Sequence, residues 1–585
     1  MEKNHYGDPP PVHYSLADHG KAPGQPGTND EDVAIVISDQ NVLKRDLKGR
    51  HMQMIAIGGA IGSGLFIGSA SSFTTGGPAA VIIGFTLIGI MMYLMMQALA
   101  ELAVMYPING AFTMYICRFI DPSWGFACGW QYAISWLTVL PFEISAACNI
   151  IHYWPGSEGI NNAAWITPLL VALIGIQFFG VKGYGEVEFV LSIIKVMACL
   201  GFMILGIIID TGGVYTYSLF QITELSLLTI SSNIPGVTSA GFRNGFHGFC
   251  GVFVNAAFAY TGTELTGLAA AETDNPRKEI PKAAKQVIYR IILFYVVNLA
   301  LVGLVVPVNN EALNGSAGAS SLHSPFVIAI QLAGIKVLPS IFNAVILIAV
   351  MSVANACTFG STRTMQALAA NGMGPKFTAY IDKQGRPVVV VVIQLLFGLL
   401  AYINLAPNGG DIFTWLLSLS GITVLFVFGS IAIAHIRFRR AWALNGHTLD
   451  ELPYRASFGV WGSWLCFLIN AVALIAQFYV ALYPVGGTPL SVEGFFETYM
   501  AAPFLVVLYL MWKVYSWFKH PSHRPLWIRT KDIDIYTGMR QEQREMISGP
   551  GVTEDQRRAS IQEMRDEQTK KGVKAKIMAA IHTVF

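Results

Sequence analysis

The sequence predicts an all-α polytopic membrane protein, and three observations carry that prediction. Hydrophobic residues fill 53% of the 585 positions and charged residues only 13%, against roughly 25% charged in ordinary soluble domains. Apolar runs of membrane-spanning length recur through 51–518 with no soluble-looking block of domain size between them. The remaining charge sits mainly in the two ends and on alternate loops. A net charge of +2 gives a nucleic-acid partner no electrostatic basis.

The ends are polar. Residues 1–50 and 519–585 are rich in Lys, Arg, Asp, Glu, Pro and Gly and read as soluble tails on either side of a transporter domain at 51–518. That domain has room for about twelve helices of about 20 to 25 residues with short loops. In order, the runs fall at 53–72, 79–105, 124–152, 164–181, 187–209, 248–271, 287–307, 325–362, 388–404, 411–435, 461–482 and 498–518. The run at 325–362 is too long for one straight crossing, and Pro339 predicts a kinked or interfacial helix leading into it. The N-terminus opens polar and acidic, so no removable signal peptide is visible and the first span directs insertion.

Loop charge sets the orientation. With the N-terminus inside, inner loops hold Arg118, Lys182, Arg277, Lys278, Lys282, Lys285, Arg363, Lys376, Lys383, Arg386, Arg437, Arg439, Arg440 and Arg455; outer loops hold Arg243 and Lys336. That bias predicts both termini in the cytosol. It also puts the sequon at Asn314 outside, as a glycosylation candidate. All seven cysteines lie in or beside apolar runs without CxxC or Cys/His spacing, so they read as small hydrophobes and no metal site is expected.

Two spans do not look like ordinary membrane helices. The first, MIAIGGAIGSGLFIGSA, crowds five glycines into about three turns, where each interior Gly costs roughly 1 kcal/mol of helix propensity. The sixth, FAYTGTELTGLAAAE, places Thr261, Gly262, Thr263 and Glu264 inside an apolar run. Close helix packing is the alternative reading of the glycines. It does not explain why the corresponding helix of the second half is also interrupted and carries a carboxylate, as inverted-repeat transporters do at their central site. An unwound turn at Ile61, Gly62, Ser63 and Gly64 leaves amides free for an anion such as a carboxylate. Carbonyls freed around Ala259, Tyr260, Thr261 and Gly262 suit an ammonium. A ligand carrying both charges on one carbon is an α-amino acid.

Ionisable residues inside spans are costly and mark function. Lys195, in LSIIKVMACLGF, is too deep to snorkel easily and reads either as a proton-coupling residue or as a permanently paired lysine. Glu264 follows the sixth-span break and reads equally as a proton relay or as a brace for unwound backbone. Glu143, in LPFEISAACNIIHYW, is placed to line the substrate route, whereas Glu101 lies nearer the inner end of its span and reads as a structural charge with basic partners. Phe258 stands where a lid over the sixth-span break would stand; Trp415 and His152 carry weaker signals, and His152 has no companion ligands for a metal.

The stretches RHMQMIAIGGAIGSGLFIGS, FAYTGTELTGLAAAETDNPRKEIPKAAKQV, NACTFGSTRTMQALAANGMGPKFTAYIDKQGRPV and FTWLLSLSGITVLFVFGSIAIAHIRFRRAW together resemble the fungal amino-acid permeases of the amino acid-polyamine-organocation superfamily. The tail PLWIRTKDIDIYTGMR is similar to those of the general amino-acid permease group. The resemblance implies a five-plus-five inverted repeat with discontinuous first and sixth helices and two extra helices. It implies import of L-amino acids across the plasma membrane by proton symport, with broad specificity and no cofactor. It assigns carboxylate binding to Ile61, Gly62, Ser63 and Gly64, gating to Phe258, and to Lys195 the place that sodium takes in sodium-coupled relatives. Glu143 and Glu264 match carboxylates that affect transport. Ser63 stands where fungal relatives often have Thr, and it keeps the hydroxyl.

The same resemblance makes Lys3, Lys21, Lys44 and Lys48 ubiquitination candidates and the charged tails contacts for ubiquitin ligase and trafficking adaptors. A sensor of the same fold is the main rival; dedicated sensors carry a long N-terminal extension, and here about 50 residues precede the first span. A polyamine or choline permease is the second rival, and the carboxylate-binding turn argues against it. No nucleophile, metal or phosphate-loop constellation points to an enzyme.

Overall fold

The computed structural model describes residues 47–539 except 158, 212–236, 240, 309, 315–323, 383, 406–408 and 520–523. Before residue 47 it describes a two-stranded antiparallel pair, β1 (His13–Tyr14) and β2 (Ile35–Val36). The first helical group is α1 (Gly49–Gly58), α2 (Ser63–Phe66) and α3 (Gly68–Gly76), followed by α4 (Pro78–Met105), α5 (Ala111–Phe119) and α6 (Pro122–Ile151). Then come α7 (Ala163–Phe178), α8 (Gly180–Asp210), a small pair β3 (Val237–Ser239) and β4 (Phe242–Arg243), α9 (Gly245–Tyr260) and α10 (Leu265–Leu268). The second half continues with α11 (Pro276–Val305), α12 (Glu311–Asn314), α13 (Pro325–Leu332) and α14 (Leu338–Ala370). It closes with α15 (Val388–Gly398), α16 (Gly409–Leu444), α17 (Gly459–Leu482), α18 (Val492–Tyr499) and α19 (Ala501–Lys519).

Local sequence explains the boundaries. Pro78, Pro122, Pro276, Pro325 and Pro339 each sit in the first turn of a helix, where the missing N–H is not needed. Asp121 caps α6 by accepting from the amides of Ser123 at 2.9 Å and Trp124 at 3.0 Å. Gly77, at φ +82°, makes the corner between α3 and α4. The long run expected at 325–362 divides into α13 and α14 just ahead of Pro339. Two helices outrun their apolar segments: α11 begins at Pro276, through a charged stretch, and α16 continues past Arg440. Charge stops an apolar run without stopping a helix.

Eight of the described helices are long and apolar enough to cross a membrane, and α7 and the stretch Val388–Ile403 are shorter apolar helices. The outer wall is greasy: Ile193, Met197 and Ile204 on α8, Trp461, Leu468 and Ile475 on α17, and Val507 and Val514 on α19 are exposed. A wall of this kind is stable against lipid and not against water. The protein is therefore an integral, multi-pass membrane protein. Inside, α6 lies along α14 and is flanked by α16 and α19, while α1 lies along α8 and α4 packs between α11 and α17. All seven cysteines are free and buried, as small hydrophobes are.

Residues 524–539 pack under one end of this bundle. The backbone of Ile528 donates to Ile120 O at 2.9 Å, Tyr106 Oη donates to Ile535 O at 2.7 Å, and Arg118 Nη1 donates to Thr537 O at 2.6 Å. Burial works against the charge of Asp534, but hydrogen bonds from the Thr537 and Tyr536 amides and nearby Arg118 hold its carboxyl below the usual range.

Candidate functional site

The first and sixth apolar runs both break at the expected places. After Gly58 the chain turns through 59–62 before α2 begins, and after Tyr260 it turns through 261–264 before α10 begins. The two breaks face each other. A Cβ on Gly262, whose φ is +102°, would lie 2.4 Å from Gly59 O, and one on Gly64 would lie 2.6 Å from Ala259 Cα. Close packing and helix interruption are thus one feature: only glycine lets the two unwound turns approach this closely.

The first break leaves donors open. The amides of Gly62, Ser63, Gly64 and Leu65 donate to no group among the described residues, and they form the N-cap and first turn of the helical stretch that begins at Ser63, the end that favours an anion. All but Leu65 edge a pocket lined by Gly59, Ala60, Gly62, Ser63, Gly64, Trp136, Val139, Glu143, Phe258, Thr261 and Val353. Ile61, Ala259, Tyr260 and Gly262 are not among its lining residues. Tyr260 turns away, donating from its hydroxyl to Phe85 O at 3.0 Å.

Carbonyls on the other side are partly engaged already. Tyr295 Oη lies 2.8 Å from Ala60 O and 2.9 Å from Ala259 O, so its single O–H is shared between a carbonyl of the first break and one at the end of α9. The Tyr260 carbonyl accepts from Thr263 Oγ1 at 3.1 Å. Tyr295 lies in the π-helical middle of α11, Ile291–Val297, where the altered turn re-aims side chains. The sequence reading missed it, since a tyrosine in an apolar run gives no signal of its own.

The carboxylates separate by role. Ser63 Oγ donates to Glu143 Oε1 at 2.5 Å, joining span three to the first break, while Glu143 Oε2 has no partner among the described residues. Glu264 braces the sixth break: Oε2 accepts from the Gly262 amide at 2.9 Å, and Oε1 accepts from Tyr132 Oη at 2.9 Å. Glu101 meets His435 at 3.0 Å and Arg439 at 2.7 Å, as a structural charge with basic partners does. Lys195 is buried on α8 and donates to Gly58 O at 2.5 Å and to Ser352 Oγ at 2.8 Å.

Phe258 is half-buried at the pocket edge, edge-on to Phe142 with ring centroids 5.9 Å apart. Lys48 is exposed ahead of α1. Lys3, Lys21 and Lys44 lie outside the described residues, as do the Trp415 side chain and residues 315–316 of the sequon; Asn314 ends α12.

Comparison with known proteins decides the family. A profile described as amino acid permease matches residues 51–523. The chain belongs to the amino acid permease family. Among these permeases, general amino-acid permease GAP2 of Candida albicans is 48% identical over 517 residues, covering 88% of this chain and 85% of that protein. General amino-acid permease GAP1 of Saccharomyces cerevisiae is 45% identical over 517 residues, covering 88% and 84%. Cationic amino acid transporter 1 of Schizosaccharomyces pombe is 48% identical over 507 residues, covering 86% and 82%. Among solved structures, a manganese transporter of Eremococcus coleocola superposes with a TM-score of 0.51 at 12% identity, covering 82% of this permease and 98% of its own chain. That likeness concerns the fold alone.

Proposed function

We propose that this permease imports L-amino acids across the plasma membrane by proton symport and with broad specificity. The observation that carries the reading is the set of open amides at Gly62, Ser63 and Gly64, residues that line the same pocket as Glu143 and Thr261. Donors there take the substrate carboxylate, and the oxygens of Thr261, the residue of the sixth break that lines the pocket, take its ammonium. Relatives named general amino-acid permeases support both the substrate class and the breadth.

In this reading twelve helices cross the bilayer as a five-plus-five inverted repeat with two added helices, and both termini are cytosolic. Phe258 gates the pocket. Lys195, Glu143 and Glu264 handle the coupled proton. Lys3, Lys21, Lys44 and Lys48 take ubiquitin from a ligase recruited to the tails, and Asn314 is the glycosylation candidate on the outside. Uptake of a labelled amino-acid panel in a permease-deficient host, across pH and without sodium, tests the whole. Uptake of several amino acids that rises as external pH falls is expected; uptake that needs sodium and ignores the proton gradient would overturn the coupling.

A further inference from the structure

A further buried carboxylate, one that the sequence does not single out, stands beside Lys195. Glu188 precedes it on α8 by seven residues, two turns of helix, so both project from the same face. Both side chains are fully buried and their charged atoms are 3.8 Å apart. Ser352 of α14 bridges them: its hydroxyl accepts from Lys195 Nζ at 2.8 Å and donates to Glu188 Oε1. Asn355, one turn further along α14, donates to Glu188 Oε2 at 3.3 Å.

The ammonium's other contact is the carbonyl of Gly58, the last residue of α1, at 2.5 Å. One turn earlier on α8, Ser192 Oγ donates to Met54 O at 3.0 Å. A Cβ on Gly58 would fall 1.8 Å from Glu188 Oε1, so glycine is what lets α1 reach this group. A cation at a helix C-terminus is stabilised by the helix dipole. Lys195 therefore fastens the carbonyl end of α1 to α8 and α14 for as long as it is charged.

We infer that Glu188 is a positioning residue for transport: through Ser352 it keeps Lys195 charged and aimed at Gly58, making a charge-dependent latch on the first half-helix. A buried ion pair that loses one partner leaves an uncompensated charge, which is strongly unfavourable. With Glu188 neutral, Lys195 sheds its proton, and a neutral amine holds a carbonyl far more weakly than an ammonium does. The bridge also supplies the route. Ser352 passes its own hydroxyl proton to Glu188 Oε1 and takes one from Lys195, leaving a carboxylic acid and an amine with no net change of charge. This step rests on the proton-symport reading; the latch itself does not. The other titratable groups that act on the pair are Cys199 and Tyr184 on α8 and Glu143 on α6.

The test reads the position of α1 directly. A thiol placed by Gln53→Cys reports release of the half-helix, because the seven native cysteines are buried. In membranes of the full-length protein, Glu188→Gln is expected to raise the rate of thiol labelling about tenfold, the order set by loss of a charge-assisted bond. Ser352→Ala raises it less, and Glu188→Asp, which keeps the charge, restores slow labelling with a shifted pH profile of uptake. Labelling at the parent rate in Glu188→Gln and Ser352→Ala would overturn the latch. If Glu188→Gln fails to reach the membrane, Glu188→Gln combined with Lys195→Met removes both charges. Fast, pH-independent labelling of that pair supports the latch, and slow labelling overturns it. Uptake indifferent to the proton gradient would remove the proton route and leave the labelling result standing.

Discussion

The two broken helices share a shape and differ in how they treat their backbone. At the sixth break side chains of the protein itself take up the backbone: Glu264 takes the Gly262 amide, Thr263 takes the Tyr260 carbonyl, and Tyr295 lies on the Ala259 carbonyl. At the first break four successive amides, Gly62 to Leu65, have none among the described residues. Unpaired donors in a low-dielectric interior are costly unless something fills them. The difference teaches that the sixth break is braced by the protein's own side chains, whereas the first leaves open the donors that the proposed carboxylate site needs.

Substitutions at the two glycine turns separate these roles most strongly. A Cβ on Gly62 would crowd the Val353 side chain at 2.2 Å and meet backbone only at ordinary contact, Ala349 O at 3.9 Å, so Gly62→Val is expected to fold and to cut uptake at least about a hundredfold, the cost of a misplaced substrate. Gly262→Val forces a side chain at φ +102° into the Gly59 carbonyl, so the surface amount itself should fall. Surface labelling beside uptake reads both; equal surface loss in the two variants would erase the distinction.

Smaller effects follow from single bonds. Glu264→Gln keeps one of its two acceptor roles, and losing the other costs about 1 to 2 kcal/mol, about tenfold in uptake, with lower thermal stability of the purified protein. Glu143→Gln keeps an acceptor for Ser63 and loses the titrating charge, so uptake measured across external pH should flatten instead of rising towards acid. Tyr295→Phe removes the tie between half-helices and is expected to cost about 1 kcal/mol, a few-fold in uptake at unchanged surface level. A Tyr295→Phe loss larger than that of Glu264→Gln would reverse the ranking of brace and tie.

Much of this architecture was legible in the sequence because hydrophobicity and glycine crowding are local signals. The MIAIGGAIGSG and FAYTGTE stretches mark both breaks to within a residue or two of where the helices stop. Lys195 and Glu143 are visible because each stands deep in an apolar run with only uncharged residues for several positions on either side. Glu188 is not: it sits near the boundary of its apolar run, beside Glu186 and Lys182, and looks like a loop charge until α8 is seen to begin at Gly180. Its partners Ser352 and Asn355 are small polar residues 164 and 167 positions away, a pairing only the fold creates. Tyr295 was hidden for the same reason, since its two acceptors come from different half-helices.

The central claim, that the open amides of the first break hold the substrate carboxylate, is tested most directly by a structure of the protein with a transported amino acid bound. The carboxylate oxygens are predicted to lie about 3 Å from the amides of Ser63 and Gly64, with the ammonium towards Thr261. A carboxylate seated elsewhere, with those amides still unpaired or taken up by the protein, would contradict it.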